Sequence, residues 1–126
     1  TLGVAVQIVD AWGNGLARRE FCYIDDLSNI IMKLLKMDVL PQRLIISPSK
    51  EITIRETIET LCKIANFPLN RVVWQTYKPG GQNARPTDTS LLKSLIGDYK
   101  WTSLEEGLRK SWNWFCDNYD SGNIRL

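Results

Sequence analysis

The sequence predicts one α/β (α+β) domain, a small mixed sheet with three to four helices. Three observations carry this. The chain has 126 residues, enough for one core and short for two. Apolar residues make up 44% and charged residues 24%, ordinary globular values that exclude a disordered chain. Stretches of period two alternate with stretches of helical period along the chain, which is the pattern of strands interleaved with helices.

Residues 4–10 are apolar and run into Trp12-Gly13-Asn14-Gly15. Gly and Asn accept positive φ, so this reads as a strand entering a tight turn. In residues 18–24, Arg19, Phe21 and Tyr23 alternate with Glu20, Cys22 and Ile24, which predicts a short strand. Asp25-Asp26 follows as a helix start, where a carboxylate can accept from free N–H groups and suits the positive end of the dipole. Leu27, Ile30, Ile31, Leu34 and Leu35 then recur at helical spacing, and the helix should end near residues 37–40, before Pro41.

Leu44-Ile45-Ile46 is a short strand candidate closed by Ser47-Pro48-Ser49. Thr53-Ile54-Arg55-Glu56 has capping-box spacing. It opens a helix whose apolar face is Ile54, Ile58, Leu61, Cys62 and Ala65, with Pro68 beyond its end. Val72-Val73-Trp74 predicts a strand, residues 78–86 a Gly/Pro-rich loop, and residues 89–96 a short helix. Ser103-Leu104-Glu105-Glu106 is a second capping box. The last helix carries Leu104, Leu108, Trp112 and Phe115 along or near one face, and residues 120–126 are a frayed tail. Trp112 and Trp114 read as packing residues of this helix.

Composition removes several function classes. The chain has no histidine, which excludes Ser–His–Asp and Cys–His mechanisms and removes the commonest transition-metal ligand. Cys22, Cys62 and Cys116 are far apart and form no CxxC pair, so neither a disulfide framework nor a zinc site is expected. Each reads as a buried thiol of a reduced, cytoplasmic protein. No metal site is expected. A net charge of +2 predicts no nucleic-acid partner and no membrane-surface partner. No apolar run is long enough to span a bilayer, and no secretory segment opens the chain. Its first residue is Thr1, which leaves room for sequence ahead of it.

Two segments could meet a ligand. The turn Trp12-Gly13-Asn14-Gly15, with Arg18 and Arg19 beyond it, offers close backbone approach, an indole face and guanidinium forks for phosphate oxygens. Taken alone, it also reads as a plain hairpin turn with a partly buried Trp. Its Gly-x-Gly is no dinucleotide fingerprint, since Arg18 stands where the third glycine belongs and no helix pattern begins there. The loop 78–85 brings Lys78, Gly80, Gly81 and Arg85 together and could fold over an anion; taken alone it is a basic, solvated connection. Asp25-Asp26 as a catalytic carboxylate pair is weaker than their capping role.

Taken together and in order, these motifs resemble a family. Trp12-Gly13-Asn14-Gly15, Arg19-Glu20-Phe21 and Tyr23-Ile24-Asp25-Asp26-Leu27 resemble the "WGxG…REFxxVDDxA" segment of the extended short-chain dehydrogenases/reductases (NAD-dependent epimerase/dehydratase family), and within it the GDP-L-fucose synthase type. Thr53-Ile54-Arg55-Glu56, Lys78-Pro79-Gly80-Gly81, Asp88 with Leu92, Ser103-Leu104-Glu105-Glu106-Gly107-Leu108 and Trp114-Phe115-Cys116-Asp117-Asn118 continue the match to about residue 118.

The resemblance implies the C-terminal, substrate-binding domain of that family over residues 1–119, without its Rossmann domain. The Rossmann half of the family binds NADP(H) and carries Tyr-x-x-x-Lys. Here Tyr23, Tyr77, Tyr99 and Tyr119 are followed at that spacing by Leu27, Gly81, Ser103 and Asn123. No cofactor and no catalytic residue is therefore expected in this chain, which should be inactive alone although the family is NAD(P)-dependent epimerases and reductases. The resemblance places Trp12, Arg19, Lys78 and, by proximity to a displaced arginine, Arg85 near the diphosphate of a nucleotide-sugar ligand. The family's acidic residue after Lys-Pro is Gly80 here, Ala84 takes the place of its loop arginine, and Ser47-Pro48-Ser49 replaces a Gly-rich turn.

Three readings follow: an orphan nucleotide-sugar-binding domain, a structural or interaction domain that kept the fold and lost the ligand, or a piece of a complete NADP-dependent epimerase/reductase. In each, apolar surface should be exposed where the Rossmann half packs. A Rossmann-domain partner, a homodimer or new polar residues would have to cover it.

Overall fold

The computed structural model describes residues 7–119. Residues 4–6 of the predicted first strand and the predicted frayed tail lie outside the described residues. The elements run β1 (Val9–Trp12), β2 (Arg18–Glu20), α1 (Ile24–Leu34), β3 (Glu51–Thr53), α2 (Ile54–Ile64), a 3₁₀ turn (Leu69–Arg71), β4 (Val72–Gln75), α3 (Ser90–Ile96) and α4 (Leu104–Asn118). The predicted order of strands and helices is observed.

The sheet is two separate pairs. β1 runs parallel to β4, with Val9 opposite Val72 and Trp12 opposite Gln75. β2 runs antiparallel to β3, with Arg18 opposite Thr53 and Glu20 opposite Glu51. β1 and β2 do not pair with each other, so the turn between them is not a hairpin, and Trp12 is exposed at 62%.

Several local expectations are corrected. β2 stops at Glu20, and α1 starts at Ile24 with Tyr23 as an N-cap that makes no side-chain capping bond. Asp25 and Asp26 therefore lie inside the first turn and do not cap it. α1 ends at Leu34, short of residues 37–40, because the chain turns after Leu35 toward Pro41. Residues 44–46 form no strand, and residues 51–53 take the place beside β2. Leu44 and Ile46 pack inward and Ile45 is exposed, although no strand forms there. Of the cysteines only Cys62 is buried; Cys22 and Cys116 are exposed.

Both capping boxes form their first bond. Thr53 Oγ1 accepts from Glu56 N–H at 3.0 Å, and Ser103 Oγ accepts from Glu106 N–H at 3.2 Å. The interior is two small clusters. Ala11, Cys62 and Val72 gather Ile58, Phe67 and Trp74 under the parallel pair. Ile30, Leu34 and Leu92 gather Leu44, Ile46, Tyr99 and Trp101 between α1 and α3. Trp112 is half-buried and stacks on Phe115, whereas Trp114 is exposed.

Candidate functional site

Parallel pairing decides where the site lies. Because β1 and β4 point the same way, their C-terminal ends are side by side, and the segments leaving them meet. Gly13 N–H donates to Gln75 O at 3.0 Å, and Lys78 N–H donates to the same carbonyl at 2.9 Å. Arg18 N–H donates to Asn83 O at 2.7 Å. The turn after β1 and the loop after β4, separated by more than sixty residues in the chain, thus form one surface.

All four predicted ligand residues lie on it. Lys78 Nζ sits 4.5 Å from the centroid of the Trp12 ring, a cation–π contact. Arg19 Nη1 donates to Arg18 O at 2.5 Å and to Gln82 O at 2.8 Å, so this edge of the guanidinium fastens the loop. Arg85 Nε donates to Gln82 Oε1 at 2.6 Å. The loop is therefore held at Gln82 by two arginines, one through its backbone and one through its side chain.

One further cation at this surface was missed. Arg55, at the start of α2, donates from Nη2 to Asn14 O at 2.8 Å and lies 4.2 Å over the Trp74 ring. The β2–β3 pairing brings it there, through Ile54 N–H to Ala17 O and Arg55 N–H to Gly15 O, both 2.9 Å. Sequence showed Arg55 only as part of a helix start, since nothing local links it to Asn14. Among the described residues the ion pairs are Lys93–Asp98, Arg109–Glu105 and Lys110–Glu106, and none involves Arg18, Arg19, Arg55, Lys78 or Arg85. The +2 chain therefore carries a local concentration of unpaired positive charge at this surface.

Glu20 backs the site. Its carboxylate accepts from Ser47 Oγ, from Thr87 N–H at 3.0 Å and from Thr87 Oγ1 at 2.5 Å. Burial pushes the carboxyl up, and the three hydrogen bonds together pull it further down, leaving it below the ordinary carboxylate value. Ser47 belongs to the Ser47-Pro48-Ser49 turn, so this turn clamps Glu20 through its first residue.

The Gly13–Gly15 turn does not form the strand–turn–helix start of a dinucleotide site. It opens onto strand β2, and the helix start it does touch, that of α2, meets it through Arg55 N–H bonded to Gly15 O at 2.9 Å. Among the described residues no group of three or more His, Cys, Asp or Glu side chains could hold a metal ion, and no helix is long and apolar enough to cross a membrane. Asp26, weighed as one of a carboxylate pair, is buried and accepts from Tyr99 Oη, Thr102 N–H and Thr102 Oγ1. An open apolar groove of about 860 Å³ lies elsewhere, against Tyr23, Leu61, Trp112 and Phe115, and none of the four predicted ligand residues lines it.

No protein-family model matches the chain. Its fold matches about a third of each of two solved structures. A GDP-L-fucose synthetase from Naegleria fowleri, solved with NADP, superposes with a TM-score of 0.83 at 20% identity, covering 91% of this chain and 36% of that one. A UDP-glucose 4-epimerase from Thermotoga maritima, solved with UDP-glucose, gives 0.74 at 21% identity over 89% of this chain and 36% of its own. In sequence the chain is similar to the GDP-L-fucose synthases: a probable member from Drosophila melanogaster is 30% identical over 116 residues, 90% of this chain and 36% of the relative. The resemblance read from the motifs is borne out, and the chain spans about a third of the length of the curated relatives it matches.

Proposed function

We propose that this chain binds the nucleoside diphosphate of a nucleotide sugar at the surface built by residues 12–19 and 78–85. It does so as the substrate-side portion of a GDP-L-fucose synthase-like reductase or epimerase. One observation carries this reading: Trp12, Arg19, Lys78 and Arg85 converge from two segments at the C-terminal ends of a parallel strand pair. Lys78 and the free edge of Arg19 supply charge for diphosphate oxygens, Arg85 adds charge at the rim, and the exposed Trp12 supplies a flat face. Hydride transfer and NADP(H) belong to a Rossmann half, since no arrangement among the described residues fits them.

The outer face of α1 supports the same assignment. Ile31, Met32 and Leu35 are exposed there, Leu35 at 66%, an apolar strip of the sort a cofactor half would cover.

The test is a calorimetric and tryptophan-fluorescence titration with GDP, GDP-sugars and dTDP-sugars. Saturable binding that weakens about tenfold or more in Arg19→Ala and Lys78→Ala is expected, the loss of one charge-assisted contact each. No response up to millimolar ligand, together with a stable dimer in sedimentation, would overturn it in favour of a structural domain. NADPH should not bind measurably.

A further inference from the structure

Gly13 and Gly80 touch backbone to backbone, and the contact is one-sided. Gly13 has φ +79°, and a Cβ there would lie 2.7 Å from Gly80 Cα and 3.4 Å from Gly80 N. Both are main-chain atoms, so no rotamer change relieves the overlap. A Cβ on Gly80 would meet Gly13 Cα at 3.7 Å, an ordinary van der Waals contact. Gly13 directly follows Trp12, and Gly80 is two residues past Lys78, whose ammonium lies over the Trp12 ring. The seam thus joins the two halves of the cationic surface at the point where the aromatic face and the lysine meet.

We propose that Gly13 is a positioning residue: its missing side chain is what lets residues 78–81 lie against the turn and sets Lys78 over Trp12. The ligand-binding consequence rests on the nucleotide-sugar reading; the placement of Lys78 does not. A side chain at position 13 must push the loop outward, carrying Lys78 off the indole and disturbing the fastening of Gln82 by Arg19.

Three single-methyl variants separate this from general strain. Gly97 also has positive φ, +72°, but nothing lies within 4 Å of its would-be Cβ. Gly97→Ala therefore imposes the backbone cost of a positive φ without a collision, and Gly80→Ala adds a methyl to the seam from its tolerant side. Gly13→Asn serves beside Gly13→Ala, because Asn tolerates left-handed φ yet carries the same Cβ.

Two readouts apply. The first needs no ligand: the upfield ring-current shift of the Lys78 ε-methylene protons, assigned by its loss in Trp12→Leu. The second is the dissociation constant for GDP. The shift is expected to vanish in Gly13→Ala and Gly13→Asn and to persist in Gly80→Ala and Gly97→Ala. GDP affinity is expected to fall about tenfold or more in the Gly13 variants alone, the equivalent of one misplaced charged contact. Retention of the ring-current shift in both Gly13 variants overturns the proposal, as does an equal loss of affinity in Gly97→Ala. If the unaltered chain binds no GDP, the nucleotide-sugar reading fails, and the ring-current comparison alone still decides the role of Gly13.

Discussion

Asp26 is only 5% exposed, in the first turn of α1, and accepts hydrogen bonds from Tyr99 Oη at 3.1 Å, Thr102 N–H at 2.8 Å and Thr102 Oγ1 at 3.0 Å. It pins the segment entering α4 to α1. Burial pushes the Tyr99 phenol up, the nearby Asp26 carboxylate acts the same way, and a hydrogen bond with Asn29 opposes both. Asp26→Ala leaves the Thr102 amide and the Tyr99 hydroxyl without their acceptor. It should cost about 2–4 kcal/mol in urea unfolding, with Asp26→Asn milder because one carbonyl remains. This role was not legible in the sequence. Two acids before an apolar helix are explained locally by capping, and the true partners lie more than seventy positions away. The candidate site residues, by contrast, can be singled out from local sequence, Trp12, Arg19 and Lys78 each in a short motif and Arg85 beside one. Arg55 cannot be, since its contact with Asn14 exists only through strand pairing.

At the scale of elements, hydroxyl caps and helical periods were read correctly, because both depend on neighbours within one turn. Thr53→Ala and Ser103→Ala should each lower stability by about 1 kcal/mol, measurable as a shifted denaturant midpoint with unchanged slope. Strand pairing depends on distant partners, and there the reading slipped. Leu44-Ile45-Ile46 has the better strand composition, yet Glu51–Thr53 pairs with β2. The pairing sets Glu20 opposite Glu51, a like-charge juxtaposition, and the Glu20 carboxylate is held by Ser47 and Thr87. Since folding lowers the Glu20 pKa, this clamp favours the folded state above the ordinary value of 4.5 and loses its contribution as pH falls through the lowered one. Glu20→Gln should reduce the melting temperature at neutral pH and flatten the acid limb of a melting series taken down to roughly pH 3. An unchanged acid limb would remove Glu20 from this account.

At the scale of the whole molecule, the described residues hold two small apolar clusters, with Ile30 fully buried, beside a largely exposed apolar face on α1. The fold class and element order followed from composition and alternation of period. The split of the sheet into two pairs did not, because register is fixed by contacts between segments far apart in sequence. That pairing creates the candidate surface, by setting the ends of β1 and β4 together. The central claim is that this surface takes a nucleoside diphosphate. Amide-shift mapping during a GDP titration tests it most directly. Shifts that saturate together and concentrate in residues 12–19 and 78–85 are the result expected; shifts absent there, or confined to the groove beside Trp112 and Phe115, would contradict it.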